Sequence, residues 1–202
     1  MGANQGAQAS VISLTGRRGR EDPPPGVVRA ARSGDHRAFR RLVEQYDDGL
    51  RRLAFHLLGS REAMDDALQE AYLSAYRGLP QFRGDADVGT WLYRITYTSC
   101  LQRLRRKDRL EPTEDGLLEG MATPSPDPAD EVLARDELCR ALGALTAEQC
   151  AALLLVHRDG FSYVDAAEIL GVPVGTVASR VAAARKALER RLQITCSAEE
   201  EP

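Results

Sequence analysis

The residues of this chain best suited to chemistry on another molecule stand between Phe161 and Leu188, in the run FSYVDAAEIL, GVPVGTV, ASRVAAARKAL. Thr176, Ser179 and Arg180 share one side of a helical spacing, with Arg185 and Lys186 further along. Hydroxyls and arginines donate to phosphate oxygens and to base edges, so a short helix carrying them suits a DNA groove. On the other side, Val177, Val181, Ala184 and Leu188 recur at steps of four, three and four, a face to bury. A first helix precedes, with Val164, Ala167 and Leu170 expected inside. Gly171 can take the positive φ that ends it. Pro173 has a fixed φ suited to the first turn of the next helix. Two short helices about such a turn read as a helix-turn-helix over residues 162–188. The plainer reading is a helical hairpin whose charged face is only solvated.

Other chemistries find less support. Asp65, Asp66 and Glu70 with His56 could approach one another in a helical bundle, but no paired Glu-x-x-His pattern is present. The cysteines Cys100, Cys139, Cys150 and Cys196 form no CxxC pair, and His36, His56 and His157 complete no zinc spacing. Buried free thiols are the default for such cysteines. No catalytic group, metal or cofactor is expected. No apolar run approaches a membrane span, and Val11 to Leu14 precede Arg17, Arg18 and Arg20, the wrong order for a secretory signal. A cytoplasmic protein with reduced thiols fits these features.

The 202 residues suffice for one large domain or two small ones. Hydrophobic residues are 43% and charged residues 28%, ordinary for a folded chain, while aromatics are only 5%, which favours an Ala/Leu/Val-packed helical core. The net charge of −3 excludes a polycation, but charge is segregated. The stretch from Arg94 to Arg109 is basic. From Glu111 to Glu137, Glu111, Glu114, Asp115, Glu119, Asp127, Asp130, Glu131, Asp136 and Glu137 face only Arg135. Residues 180–191 are basic again. Local basic patches of this kind can hold DNA on an acidic protein.

The expected architecture is all-α, in two helical domains. Residues 1–25 read as a disordered tail. Phe39, Leu42, Val43, Tyr46, Leu50, Leu53, Ala54, Leu57 and Leu58 predict one helix stopped by Gly59. Ser60 predicts an N-cap for the next, EAMDDALQEAYLSAYRGL, burying Ala67, Leu68, Ala71, Tyr72 and Ala75. FRGDADVGTW reads as a loop, followed by a helix from Thr90 to about Arg106 with Trp91, Leu92, Ile95, Leu101 and Leu104. A first domain over 26–109 then meets an extended acidic, proline-rich tether over 110–130. A second domain over 131–193 starts with a helix carrying Val132, Leu133, Leu138, Leu142 and Leu145. Thr146 and Gln149 predict a capping box for the next helix, and Gly160 ends it. Residues 194–202 form a C-terminal tail.

The blocks DDALQEAYLSAYRGLPQFRG, TWLYRI, LQRLRR and FSYVDAAEILGVPVGTVASR, in that order and spacing, resemble an extracytoplasmic-function sigma factor of the sigma-70 family, over about residues 26–192. The Ala/Arg-rich composition leans toward actinobacterial members. The resemblance implies a sigma-2-like and a sigma-4-like domain. It implies binding to core RNA polymerase and direction to promoter DNA, with a probable anti-sigma factor as a further partner, often membrane-bound, and no small-molecule substrate. Asp65, Asp66, Gln69 and Glu70 match the family's core-binding helix. Phe82 to Trp91 matches its melting loop, and Trp91 to Arg106 its −10 helix, so Phe82, Trp91, Arg94, Thr98, Gln102, Arg103, Arg105 and Arg106 become −10 candidates. Trp91 itself reads as a core anchor rather than a stacking platform. Thr176, Ser179, Arg180, Arg185 and Lys186 become −35 candidates. Departures stand out: Thr98 for a frequent Asn, Gln102 for Asp, Asp87 and Val88 in the loop, and Ala178, Ala182 and Ala183 where larger or basic residues reach bases. These predict an altered −10 preference and weak direct −35 readout, with reliance on DNA shape. The acidic tether is a candidate competitor for the basic helices. A stand-alone helix-turn-helix regulator is the alternative, although no dimerisation heptad is evident.

Overall fold

The computed structural model describes residues 23–84, 86–110, 142–143 and 145–198, and every regular element among them is helical. In the first unit, α1 spans Pro25–Arg32, α2 His36–Glu44, α3 Asp47–Leu58, α4 Arg61–Gly78 and α5 Val88–Leu110, with a 3-10 turn at Leu79–Gln81. In the second, α6 spans Ala147–Leu153 and runs into a π-helical turn over Leu154–Arg158. Then come α7, Tyr163–Leu170, and α8, Val174–Ala198. The expected tether over 111–130 and the first part of the helix before Leu142 lie outside the described residues, as does the tail before Pro23.

Several local signals work as expected. Gly59 takes φ 67° and closes α3, and Ser60 Oγ accepts from Ala63 N–H at 3.4 Å. Thr146 and Gln149 form the capping box, each side chain accepting from the other's backbone N–H at 3.2 Å. Together such bonds satisfy backbone donors that a helix start leaves free.

Three expectations are corrected. The single helix from Phe39 to Leu58 is two. Tyr46 N–H bonds back to Val43 C=O at 2.9 Å, and Tyr46 C=O restarts the ladder by accepting from Gly49 and Leu50. Asp47 and Asp48 then sit in the first turn of α3, where carboxylates are favoured by the partial positive charge of a helix start. Asp47 is held there by the Tyr72 hydroxyl and by Arg51 Nε at 2.8 Å. Burial, then that bond to Asp47, pushes the Tyr72 phenol well above its ordinary value.

The helix expected from Thr90 begins at Val88. The Asp87 carboxylate accepts from Gly89 N–H at 2.9 Å and Thr90 N–H at 3.3 Å, the geometry of an N-cap. Val88 is buried. Asp87 and Val88 therefore build the start of α5. In α7, Val164 is 63% exposed. Ala166, Ala167, Ile169 and Leu170 form the buried side instead.

Both units contribute to one buried cluster. The first unit centres on Leu42, Tyr46, Leu50, Leu53, Leu57, Leu68 and Leu92. The second centres on Cys150, Leu155, Ile169, Val177, Val181 and Ala184. The units pack chiefly through α5 against α7, with α3 against α6 beside them. Tyr93 and Phe161 meet edge to face across this seam at 4.8 Å between ring centroids.

Candidate nucleic-acid interface

α4 lies between α3 and α5 and pairs with charged residues of both. Asp65 pairs with Arg51 of α3 at 2.9 Å. Asp66 pairs with Arg103 at 3.1 Å, and Glu70 lies 3.3 Å from Arg103 and 3.8 Å from Arg106. Residues assigned by resemblance to two different partners thus bond to each other. Gln69 and Asp65 border an open groove of about 450 Å³, lined also by Phe39, Leu68, Leu73 and Tyr76. Leu73 is 49% exposed at its mouth. The groove is largely apolar; its one carboxylate, Asp65, is paired with Arg51, which also lines it.

Arg94, Thr98, Gln102, Arg105 and Arg106 are exposed, at spacings that put them along one side of α5. Thr98 Oγ1 donates to its own helix at Arg94 C=O, 2.8 Å. Phe82 and Trp91 are half-buried and packed together at 5.2 Å between centroids. The Trp91 ring also lies so close to Gly78 that a Cβ there would meet it at 3.3 Å. Trp91 therefore anchors the loop to the helical core, the reading weighed against a stacking platform. Tyr93, part of the TWLYRI block, and Tyr97 are nearly fully buried on the side of α5 that faces the second unit. Burial pushes the Tyr97 phenol up, and the nearby charges of Glu148 on α6 and Arg180 on α8 act on it next.

α7 and α8 of the second unit meet at 98° about Gly171, which takes φ 66°. This is the geometry of a helix-turn-helix. Ser162 caps α7, accepting from Asp165 N–H at 3.1 Å and donating to the Asp165 carboxylate at 2.7 Å. Pro173 sits just before α8, where its C=O accepts from Thr176 N–H at 2.9 Å and Val177 N–H at 3.3 Å. It flanks the first turn rather than entering it. Val177, Val181 and Ala184 are buried as expected. On the outer side Ser179, Arg185 and Lys186 are exposed, with Ala178, Ala182 and Ala183 beside them, and Thr176 is half-buried. Ser179 Oγ donates to Thr176 C=O at 2.9 Å. Arg180 differs: it is half-buried, and its Nη1 is enclosed without a hydrogen-bond partner from the protein.

Among the described residues no three of His, Cys, Asp and Glu converge as metal ligands would. No single described helix is long and apolar enough to cross a membrane. Cys100 and Cys150 are buried free thiols.

A helical unit with a basic exposed stripe, joined to a helix-turn-helix with a polar outer side, defines a two-part DNA-reading protein. Residues 42–110 match the family Sigma-70 region 2, and residues 135–188 match Sigma-70, region 4. The chain is 41% identical over 183 residues to the ECF RNA polymerase sigma factor SigM of Mycobacterium tuberculosis (strain H37Rv), covering 90% of this chain and 89% of that protein. It is 33% identical over 179 residues to the ECF RNA polymerase sigma-E factor of Escherichia coli K12, covering 83% and 93%. Among solved structures, the sigma factor RpoE of Bartonella quintana, in complex with the anti-sigma factor NepR, superposes with TM-score 0.66 at 28% identity, covering 77% of this chain and 97% of that one. CnrH, in complex with the cytosolic domain of CnrY, superposes with TM-score 0.62 at 28% identity, covering 83% and 96%. The chain belongs to the extracytoplasmic-function sigma factors of the sigma-70 family. It directs RNA polymerase to promoters.

Proposed function

We propose that this sigma factor docks on core RNA polymerase through the α4 side bearing Asp65, Asp66, Gln69 and Glu70. The exposed stripe of α5 then follows −10 DNA, and the outer side of α8 lies in the −35 major groove. The observation that carries this reading is the row Asp65, Asp66 and Glu70 on α4, with an apolar groove beside Asp65 on one side and the basic residues of α5 on the other. Arg94, Arg105 and Arg106 suit phosphates, each contact adding about one released counterion to the salt dependence. On α8, Ser179, Arg185 and Lys186 hold the backbone and polar base edges, while exposed Ala178 and Ala182 suit thymine methyl groups. The chain supplies promoter choice and strand separation, and polymerase supplies the chemistry. Its place is the cytoplasm, on the nucleoid when active. An anti-sigma factor of the sort seen with the two structural neighbours would hold it inactive, at the membrane if that partner is anchored there.

The test is run-off transcription with core polymerase over a library of promoter fragments. Transcripts that need the protein, share upstream elements and vanish with Asp66→Ala/Glu70→Ala are expected. Core binding retained by that double variant would overturn the docking assignment.

A further inference from the structure

The first two helices carry a charge pattern that neither the fold nor the proposed docking uses. Arg29 and Arg32 on α1, and Arg37, Arg40 and Arg41 on α2, are all exposed, and none of these side chains forms an ion pair or hydrogen bond among the described residues. Spacings of three and four put Arg37, Arg40 and Arg41 on one side of α2, while Ala38, Leu42 and Val43 are buried on the other. Against the five guanidiniums of this hairpin stand two carboxylates. Asp35 caps α2, accepting from Arg37 N–H at 2.8 Å and Ala38 N–H at 3.2 Å. Glu44 is exposed at the end of the arginine row. Arg29, Arg32 and Arg41 suit the ends of their helices. Arg37 does not: it sits in the first turn of α2, one turn from two other arginines, where like charges repel. In a chain of net charge −3, such a concentration of unpaired arginines is a surface for a polyanion.

The place of the hairpin in the fold indicates which polyanion. α1 packs on the 3-10 turn Leu79–Gln81. His36, at the start of α2, stacks on Tyr76 at 5.1 Å between ring centroids, beside exposed Arg77 in the last turn of α4. From the 3-10 turn the chain runs through exposed Arg83 and the loop matched to strand melting into α5, whose exposed stripe starts at Arg94. A basic track thus continues from α5, past the loop, onto the hairpin. We infer that the α1–α2 hairpin is a second nucleic-acid surface, which holds the phosphates of the separated strand after it leaves the loop. Guanidinium forks fit phosphate oxygens, and backbone contacts carry no sequence information, so the hairpin adds grip without narrowing promoter choice. The inference rests on the proposed role of α5.

The test uses holoenzyme assembled from core polymerase and the full chain, on fork templates built from a promoter recovered by the run-off selection. One template ends its unpaired strand at the −10 element, and the other extends that strand beyond it. Arg37→Gln/Arg40→Gln/Arg41→Gln should weaken binding to the extended template alone. Its salt slope should fall by about two, since each single-strand phosphate contact contributes about 0.7. The loss should be the same for any sequence placed in the extension. Glu44→Gln removes the carboxylate from the row and should tighten binding to the extended template, a gain that misfolding cannot produce. Arg94→Ala should weaken binding to both templates, which upholds the role of α5. With that control intact, an unchanged slope in the triple variant, or an equal loss on both templates, overturns the hairpin surface alone. So does a triple variant that keeps its DNA binding and loses retention on phosphatidylglycerol vesicles, which assigns the arginines to a membrane instead. Indifference of both templates to Arg94→Ala overturns the role of α5 and the inference with it.

Discussion

Gly89 occupies the first turn of α5, where the sequence suggests only a loop glycine. A Cβ added there would lie 2.6 Å from Tyr46 Cε1, 2.8 Å from Asp87 Oδ2 and 3.1 Å from Tyr46 Cζ. The closest of these is about 0.8 Å inside the lower edge of ordinary contact, 3.4 Å. Neither neighbour yields easily. Tyr46 is 1% exposed in the core, and the Asp87 carboxylate caps the helix through Gly89 and Thr90. Overpacking of this kind costs about 1–3 kcal/mol. Displacing the cap adds about 1 kcal/mol, and the better helix propensity of alanine returns up to about 1 kcal/mol. Gly89→Ala should therefore destabilise the chain by about 2 kcal/mol. The assay is urea unfolding followed by circular dichroism, with the loss read from a lower midpoint at constant slope. Gly175→Ala is the internal control: nothing lies within 4 Å of its added Cβ, so its stability should hold or rise by a few tenths of a kcal/mol. A Gly89→Ala loss below about 0.5 kcal/mol would refute the packing argument, since surface-like substitutions fall in that range.

Thr146→Ala removes one bond of the capping box and should cost about 1 kcal/mol, measured in the same way, with Thr146→Ser retaining most of it. Burial, then Arg158 and Arg52, hold the His56 imidazole below its ordinary value of 6.5. The folded chain thus prefers neutral His56. Its contribution is complete above pH 6.5 and is lost as pH falls below that value, because the unfolded chain takes up the proton first. Melting temperature should fall from pH 7.5 to pH 5.5 more steeply in the parent than in His56→Gln, and parallel curves would contradict this. Ala178→Lys should tighten binding to duplexes of any sequence and steepen the salt dependence by about one counterion, as fluorescence anisotropy at several salt concentrations would show. Unaltered binding would count against the docking of α8.

Features decided by a few neighbouring residues were legible. Ser60 and Thr146 announce helix starts because the bonds they make reach only three residues on. Gly171 announces the turn of the helix-turn-helix because its backbone needs a positive φ. The buried side of α8 follows from its spacing alone. What depended on distant partners was hidden. The break between α2 and α3 is secured by Tyr72 reaching Asp47 from α4, which hydrophobic periodicity does not register. Tyr93 and Tyr97 look amphipathic in a lone helix and are buried because the second unit covers them. Val164 has the right spacing for a core and is left outside because α7 is too short to present more than one packed side. At the site, motif order located α4, α5 and α8. It did not reveal that Asp66 and Glu70 meet Arg103 and Arg106, since those pairs join residues more than 30 positions apart and no local pattern encodes them. Asp87 could have been found: an aspartate immediately before the first buried helical position, Val88, is an N-cap signal in its own right.

Cys100 and Cys150 are both held by burial at about 12, far above the ordinary thiol value. At pH 7 such a group is ionised in about one molecule in 100,000, and oxidants and electrophiles attack the thiolate. These two sulfurs are therefore chemically deaf. Oxidative or electrophilic stress is expected to leave Cys100 and Cys150 unmodified in the folded chain.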